Sequence, residues 1–244
     1  MKLIIVATPE EGAVNAAEIV IKQIKAKPAS VLGLPTGGTP IGLYAQLAKA
    51  VKEKKVDLSQ IKTFNLDEYC GLTKENFQSY YTFMNIHLYA PCGLRPDQTH
   101  IPSGTASDTE AEVRAYETAI VTAGGLDLQV LGIGENGHIG FNEPGTEPKS
   151  RTRVVTLTQN TREANARFFS SIHEVPIHAL TMGIQNILEA KVILMLAFGA
   201  NKADILFDAL KGPISINNPA SFLQNHPDVI VIADHAAAAQ LLRH

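Results

Sequence analysis

LDLQVLGIGENGHIGFNEPG, residues 126–145, joins an apolar run to a glycine-rich turn, and the reading of that junction decides the fold. Leu126 to Gly134 has the make-up of a strand buried on both faces, rich in Leu, Val and Ile with no charge after Asp127. Gly132, Gly134 and Gly137 stand in the spacing of a dinucleotide-binding fingerprint, which would make this the first turn of a nicotinamide enzyme. Three features speak against that. A true fingerprint opens a helix, whereas Gly137 is followed by HIGFNEPG, whose Pro144 and Gly145 leave no room for one; the region near Leu157 has no acid for a ribose; and the motif sits mid-chain. The junction reads instead as a strand running into a loop that carries chemistry.

Outward from it, the pattern repeats. LIIVA (3–7), SVLGL (30–34), KTFNL (62–66), KVILMLAFG (191–199) and DVIVIAD (228–234) read as further strands. Between them, PEEGAVNAAEIVIKQIKAK, IGLYAQLAKAVKEK, DTEAEVRAYETAIVTAG and NKADILFDALKG place apolar residues three and four apart, as amphipathic helices covering a sheet do. The alternation predicts an α/β fold with a doubly wound, mostly parallel, Rossmann-like sheet. At 244 residues, with no repeat or polar linker, residues 1–244 are expected to form a single domain. Residues 149–180, with short helical stretches such as TREANARFF and few apolar runs, are expected to form a small helical lid.

The charge balance, 21 Lys and Arg against 24 Asp and Glu, offers nothing to a polyanion, so nucleic acid is not expected as a partner. No apolar run approaches the ~20 residues of a membrane span. The start, MKLIIVATPEEG, turns acidic where a signal peptide would carry its apolar core, and the two cysteines, Cys70 and Cys92, fit a reducing compartment. A cytoplasmic location is expected.

In open parallel sheets ligands bind beyond the carboxyl ends of the strands. In Leu34-Pro35-Thr36-Gly37-Gly38-Thr39-Pro40 two glycines allow a tight turn with exposed N–H groups, Thr39 can cap, and Pro40 suits the first turn of the next helix. Such a turn favours a phosphate at Thr36, Gly37, Gly38 and Thr39, although the Walker pattern is absent. Lys202 in GANK, a cation where a helix begins, suggests an anion in front of it, and Arg167 in NARFF is a second candidate. Asp67 and Glu68 in FNLDEY lie where a strand ends, and one of them could act as a base. His138 sits in the glycine-rich turn with Asn136 and Glu143 near it, an arrangement suited to general acid and base work. The spacing of these residues does not suit a metal.

Together LGLPTGGTP, NLDEY, LGIGENGHIGFNEPG, SRTR, TREANARFF and GANK resemble the glucosamine-6-phosphate deaminases, in the same order and over nearly the whole chain. The resemblance implies a cofactor-independent conversion of D-glucosamine 6-phosphate to fructose 6-phosphate and ammonia. It implies that His138 opens the pyranose ring, held by Glu143 and Asn136, and that Asp67 removes the C2 proton. Thr36, Gly37, Gly38, Thr39, Arg167 and Lys202 would hold the phosphate. Many members carry an aspartate at the position of Asn136, which can accept a hydrogen bond from the ring but brings no charge. In hexameric members activated by N-acetylglucosamine 6-phosphate an arginine and a lysine help bind the activator, and here the matching stretch is Arg153-Val154-Val155. That departure, with a C-terminus that stops soon after AAAAQLLRH, implies an unregulated monomer or small homo-oligomer. A 6-phosphogluconolactonase-like hydrolase would need no base at C2, and a non-catalytic sugar-phosphate sensor would need a DNA-binding module for which neither end has room.

Overall fold

The computed structural model describes residues 1–243. In chain order its elements are β1 (Lys2–Val6), α1 (Pro9–Ala26), β2 (Val31–Leu34), α2 (Ile41–Lys52), β3 (Lys62–Asn65), β4 (Asp67–Tyr69), α3 (Tyr80–Met84), α4 (Ala90–Cys92), β5 (Thr99–His100) and α5 (Thr109–Thr122). They continue with β6 (Leu128–Gly132), β7 (Arg153–Thr156), α6 (Gln159–Asn165), β8 (His178–Thr181), α7 (Ile184–Leu188), β9 (Val192–Ala197), α8 (Ala203–Lys211) and β10 (Val229–Asp234).

Seven strands form one sheet in the order β1-β10-β9-β6-β2-β3-β5, every neighbouring pair parallel. Its interior strands are apolar on both faces because both faces are covered. One core packs Ala16 and Val20 of α1 and Leu43 and Leu47 of α2 against Leu32, Leu128 and Leu194. The other packs Tyr116 of α5, Ile184 of α7 and Leu206 of α8 against Val31, Leu131 and Met195. The sheet is therefore doubly wound, as its alternating pattern predicts. No helix among the described residues is long and apolar enough to cross a membrane.

Two features depart from expectation. Beyond Asn65 the chain leaves the parallel sheet and Asp67–Tyr69 enters a second, three-stranded sheet of order β4-β8-β7. Both of its pairings are antiparallel, with Thr181 facing Asp67 on one side and Arg153 on the other. Residues 149–180 are correspondingly not a helical lid throughout: β7 and most of β8 form the ends of the segment. Only α6 and the 3₁₀ turns Ala166–Phe168 and Ile172–Glu174 lie between them. This small sheet carries Asp67 to the carboxyl edge of the large one.

Candidate active site

A cleft of about 540 Å³ opens at that edge, lined by the loops after β2, β3, β6 and β9 and by α6. Thr36, Gly37, Gly38, Thr39, Asp67, Asn136, His138, Arg167 and Lys202 all line it, and Glu143 stands directly behind Asn136 and His138. A second cavity of about 520 Å³, between residues 54–59 and 92–95, contains none of the candidate catalytic or phosphate-binding residues.

At the phosphate-type turn, Gly37 has φ +92°, a left-handed conformation that glycine adopts without strain, and a Cβ at Gly37 or Gly38 would meet open space. The Tyr44 hydroxyl donates to Pro35 O at 2.5 Å and fixes the base of the loop. Thr39 does not cap α2. Pro40 takes the N-cap position instead, and no side chain bonds the first turn. A proline has no side-chain acceptor, so that turn presents donors and the positive end of the helix dipole to the cleft. Lys202 is the N-cap residue of α8 and is half-buried; burial pulls its pKa down and Glu135 opposes that. Arg167 lies on the exposed 3₁₀ turn after α6, its guanidinium 4.7 Å from the centre of the Phe168 ring.

The two neighbouring acids face different tasks because successive strand residues point to opposite faces. Glu68 turns inward and accepts hydrogen bonds from the N–H groups of Tyr69, Tyr80 and Tyr81 at 2.8, 2.9 and 2.9 Å, anchoring the start of α3. Burial outweighs these bonds and raises its pKa to about 7. Asp67 points into the cleft and is 6% exposed, and its carboxyl receives no hydrogen bond among the described residues. Burial, with the charge of Glu68 adding to it, raises its pKa to about 8. A carboxyl kept free of donors in this way is a stronger base than an ordinary aspartate.

Across the cleft, His138 Nδ1 stands 3.6 Å from Glu143 Oε2, a contact longer than a hydrogen bond. Glu143 accepts from Asn136 Nδ2 at 2.7 Å on the same oxygen and from the Thr161 hydroxyl on the other. Burial opposes its ionisation, but these bonds and the His138 imidazole outweigh it and hold its pKa at about 2. Asn136 does not bond the imidazole ring. Its Oδ1 accepts from the His138 backbone N–H at 3.2 Å, so its amide ties the histidine's main chain to the glutamate's side chain. A two-residue separation lets a side chain reach this N–H more readily than the ring.

The glycines also acquire specific reasons. A Cβ at Gly134 would lie 2.3–2.4 Å from the His138 ring, Gly137 has φ +85°, and only Gly132 faces open space. Gly134 therefore makes room for the histidine itself. Gly134→Ala is expected to displace the ring and lower kcat by about 10²-fold. Thermal melting should still show a folded chain, and unchanged kcat would refute this account of the glycine. Thr161 and Tyr80, which line the same cleft, carried no sequence signal that set them apart.

A family described as glucosamine-6-phosphate isomerases/6-phosphogluconolactonase matches residues 7–231. A glucosamine-6-phosphate deaminase of Thermoanaerobacter pseudethanolicus is 50% identical over 239 residues, 98% of this chain and 94% of that protein. The solved structure of a monomeric glucosamine-6-phosphate deaminase matches with a TM-score of 0.96 and 49% identity, covering 98% of this chain and all of that one. A 6-phosphogluconolactonase from Trypanosoma cruzi superposes with a TM-score of 0.79 over 98% of this chain and 96% of that one. At 20% identity it shares the fold alone.

Proposed function

The chain belongs to the family of glucosamine-6-phosphate isomerases and 6-phosphogluconolactonases, and we propose that within it the molecule is a glucosamine-6-phosphate deaminase. It is an enzyme acting on a sugar phosphate, converting D-glucosamine 6-phosphate and water to fructose 6-phosphate and ammonia. The observation that carries the reading is Asp67, a buried carboxyl without hydrogen-bond donors, facing the same cleft as His138. A lactonase needs no base at C2, whereas an aldose-to-ketose conversion does.

The family resemblance implies the following steps, and the placement of these side chains around one cleft supports them. The phosphate sits on the turn Thr36–Thr39, with Lys202 and Arg167 as its cationic partners. With Nδ1 of His138 against Glu143, Nε2 is left to take the C1 hydroxyl proton and return it to the ring oxygen. In the open chain Asp67 removes the C2 proton, leaving an enolamine, and delivers a proton to C1. The resulting imine at C2 adds water and expels ammonia, which balances the reaction without an external oxidant or cofactor.

Two features of the chain bear on its state in solution. Where activated relatives pair an arginine with a lysine, Arg153 here donates to Asn142 Oδ1 at 3.0 Å and to Arg151 O at 3.3 Å, and Val155 has no charge to offer. This supports an unregulated enzyme, and likeness to a monomeric deaminase supports a monomer. Both cysteines are free thiols, in keeping with a cytoplasmic setting.

The direct test is release of ammonia and fructose 6-phosphate from glucosamine 6-phosphate by the purified chain; no ammonia would overturn the reading. Lys202→Ala is expected to raise KM roughly 10- to 100-fold with a smaller effect on kcat, the loss of a charge-assisted bond to phosphate. An unchanged KM would remove Lys202 from the phosphate site.

A further inference from the structure

Thr161 stands out among the groups that the mechanism leaves unused. It is the third residue of α6, 8% exposed, and its hydroxyl donates to Glu143 Oε1, 18 residues earlier in the chain. A threonine near a helix start ordinarily serves the helix, by capping it or by bonding back to a carbonyl. Here that work is already done: Thr158 is the N-cap, and its Oγ1 accepts from the Thr161 N–H at 3.2 Å. The Thr158 hydroxyl then donates its own proton to Thr161 Oγ1 at 3.0 Å. Thr161 is thereby left with one proton to give, and it gives it to the glutamate beside His138.

Each Glu143 oxygen thus has one donor, Thr161 on Oε1 and Asn136 on Oε2, and Oε2 is the one turned to the imidazole. The donors come from different elements. Asn136 belongs to the same loop as the histidine, whereas Thr161 reaches in from the segment that also carries Arg167. We propose that Thr161 is a positioning residue for ring opening, gripping Glu143 from α6 so that its other carboxylate oxygen stays turned to His138. The proposal rests on the deaminase reading for the step it serves, but the contact itself is independent of substrate.

Valine at this position keeps the branched shape and removes the proton, leaving Oε1 without its donor. His138 is the titratable group in contact with Glu143; Asn136 and Thr161 are neutral. Loss of a hydrogen bond to a charged group should therefore raise the Glu143 titration midpoint, from a wild-type value of about 2. The rise should be about one to two pH units, read by ¹³C carboxyl NMR of the ligand-free protein. Thr161→Val should also lower kcat on glucosamine 6-phosphate about tenfold or more, and Thr161→Ser should restore both. Should the valine variant fail to fold, Thr161→Ala, which adds no bulk, is expected to show the same shift. If Glu143 titrates as in wild type in a folded Val or Ala variant, or if Ser behaves as Val does, the proposal is overturned. If wild type makes no ammonia, the deaminase reading falls while the titration still decides the contact.

Discussion

Asp67→Asn is expected to lower kcat for ammonia release by about 10²- to 10⁴-fold, the range of a positioned general base. Asparagine keeps the shape and polarity of the side chain but cannot take the C2 proton. Exchange of the C2 hydrogen with deuterated solvent should vanish with turnover, while KM changes little because the phosphate contacts remain. Since the base must be ionised, kcat/KM of the wild type should rise with pH up to about 8 and level off beyond it. The substrate's ammonium, bound near the carboxylate, favours the ionised form, so the acid limb of kcat should fall below that of kcat/KM. A variant with near-wild-type turnover would remove Asp67 from the chemistry.

The same substitution should stabilise the fold. A carboxyl whose pKa is raised on folding costs nothing below its unfolded value near 3.8, and costs progressively more as pH rises through about 8. Asparagine resembles the protonated form, so Asp67→Asn should melt higher than wild type at pH 8 and at a similar temperature near pH 4. This is the usual opposition between a strained functional group and stability. Equal melting curves at pH 8 would contradict the burial argument.

His138→Gln is expected to cost a comparable factor, about 10²- to 10⁴-fold in kcat on the pyranose substrate. Glutamine can hydrogen-bond the sugar but cannot carry a proton from the C1 hydroxyl to the ring oxygen. The two variants fail at different steps. Substrate supplied in ring-opened form should be deaminated by the His138 variant and left unreacted by the Asp67 variant. If both variants stayed inactive on it, His138 would have a role beyond ring opening.

How much of this was legible beforehand follows the range of each signal. All six expected strands lie in the parallel sheet, and the four expected helices are present within a few residues of their patterns. These are properties of consecutive residues: a strand buried on both faces must be apolar nearly throughout, and a surface helix must repeat its apolar face every three or four residues. The glycine-rich turns were legible for a similar reason, since a left-handed φ at Gly37 or Gly137 leaves few other choices of residue.

The small antiparallel sheet was not legible. DEY, RVVT and HALT are three or four residues long, and β4 finds its partner more than 100 residues away in sequence. The amino-acid sequence by itself determined the parallel sheet, its covering helices and the chemical character of the loops at its edge, because local composition dictates each of them. Between the two adjacent acids the residues alone left the choice open and only the family resemblance pointed to Asp67; the tertiary structure placed its carboxyl in the cleft, and it alone decided that Asn136 bonds the backbone of His138 and not its ring, and that Thr161 reaches Glu143. Burial, the raised pKa of Asp67 and the pairing of donor with acceptor depend on distances between segments remote in the chain, and those distances exist only once it has folded.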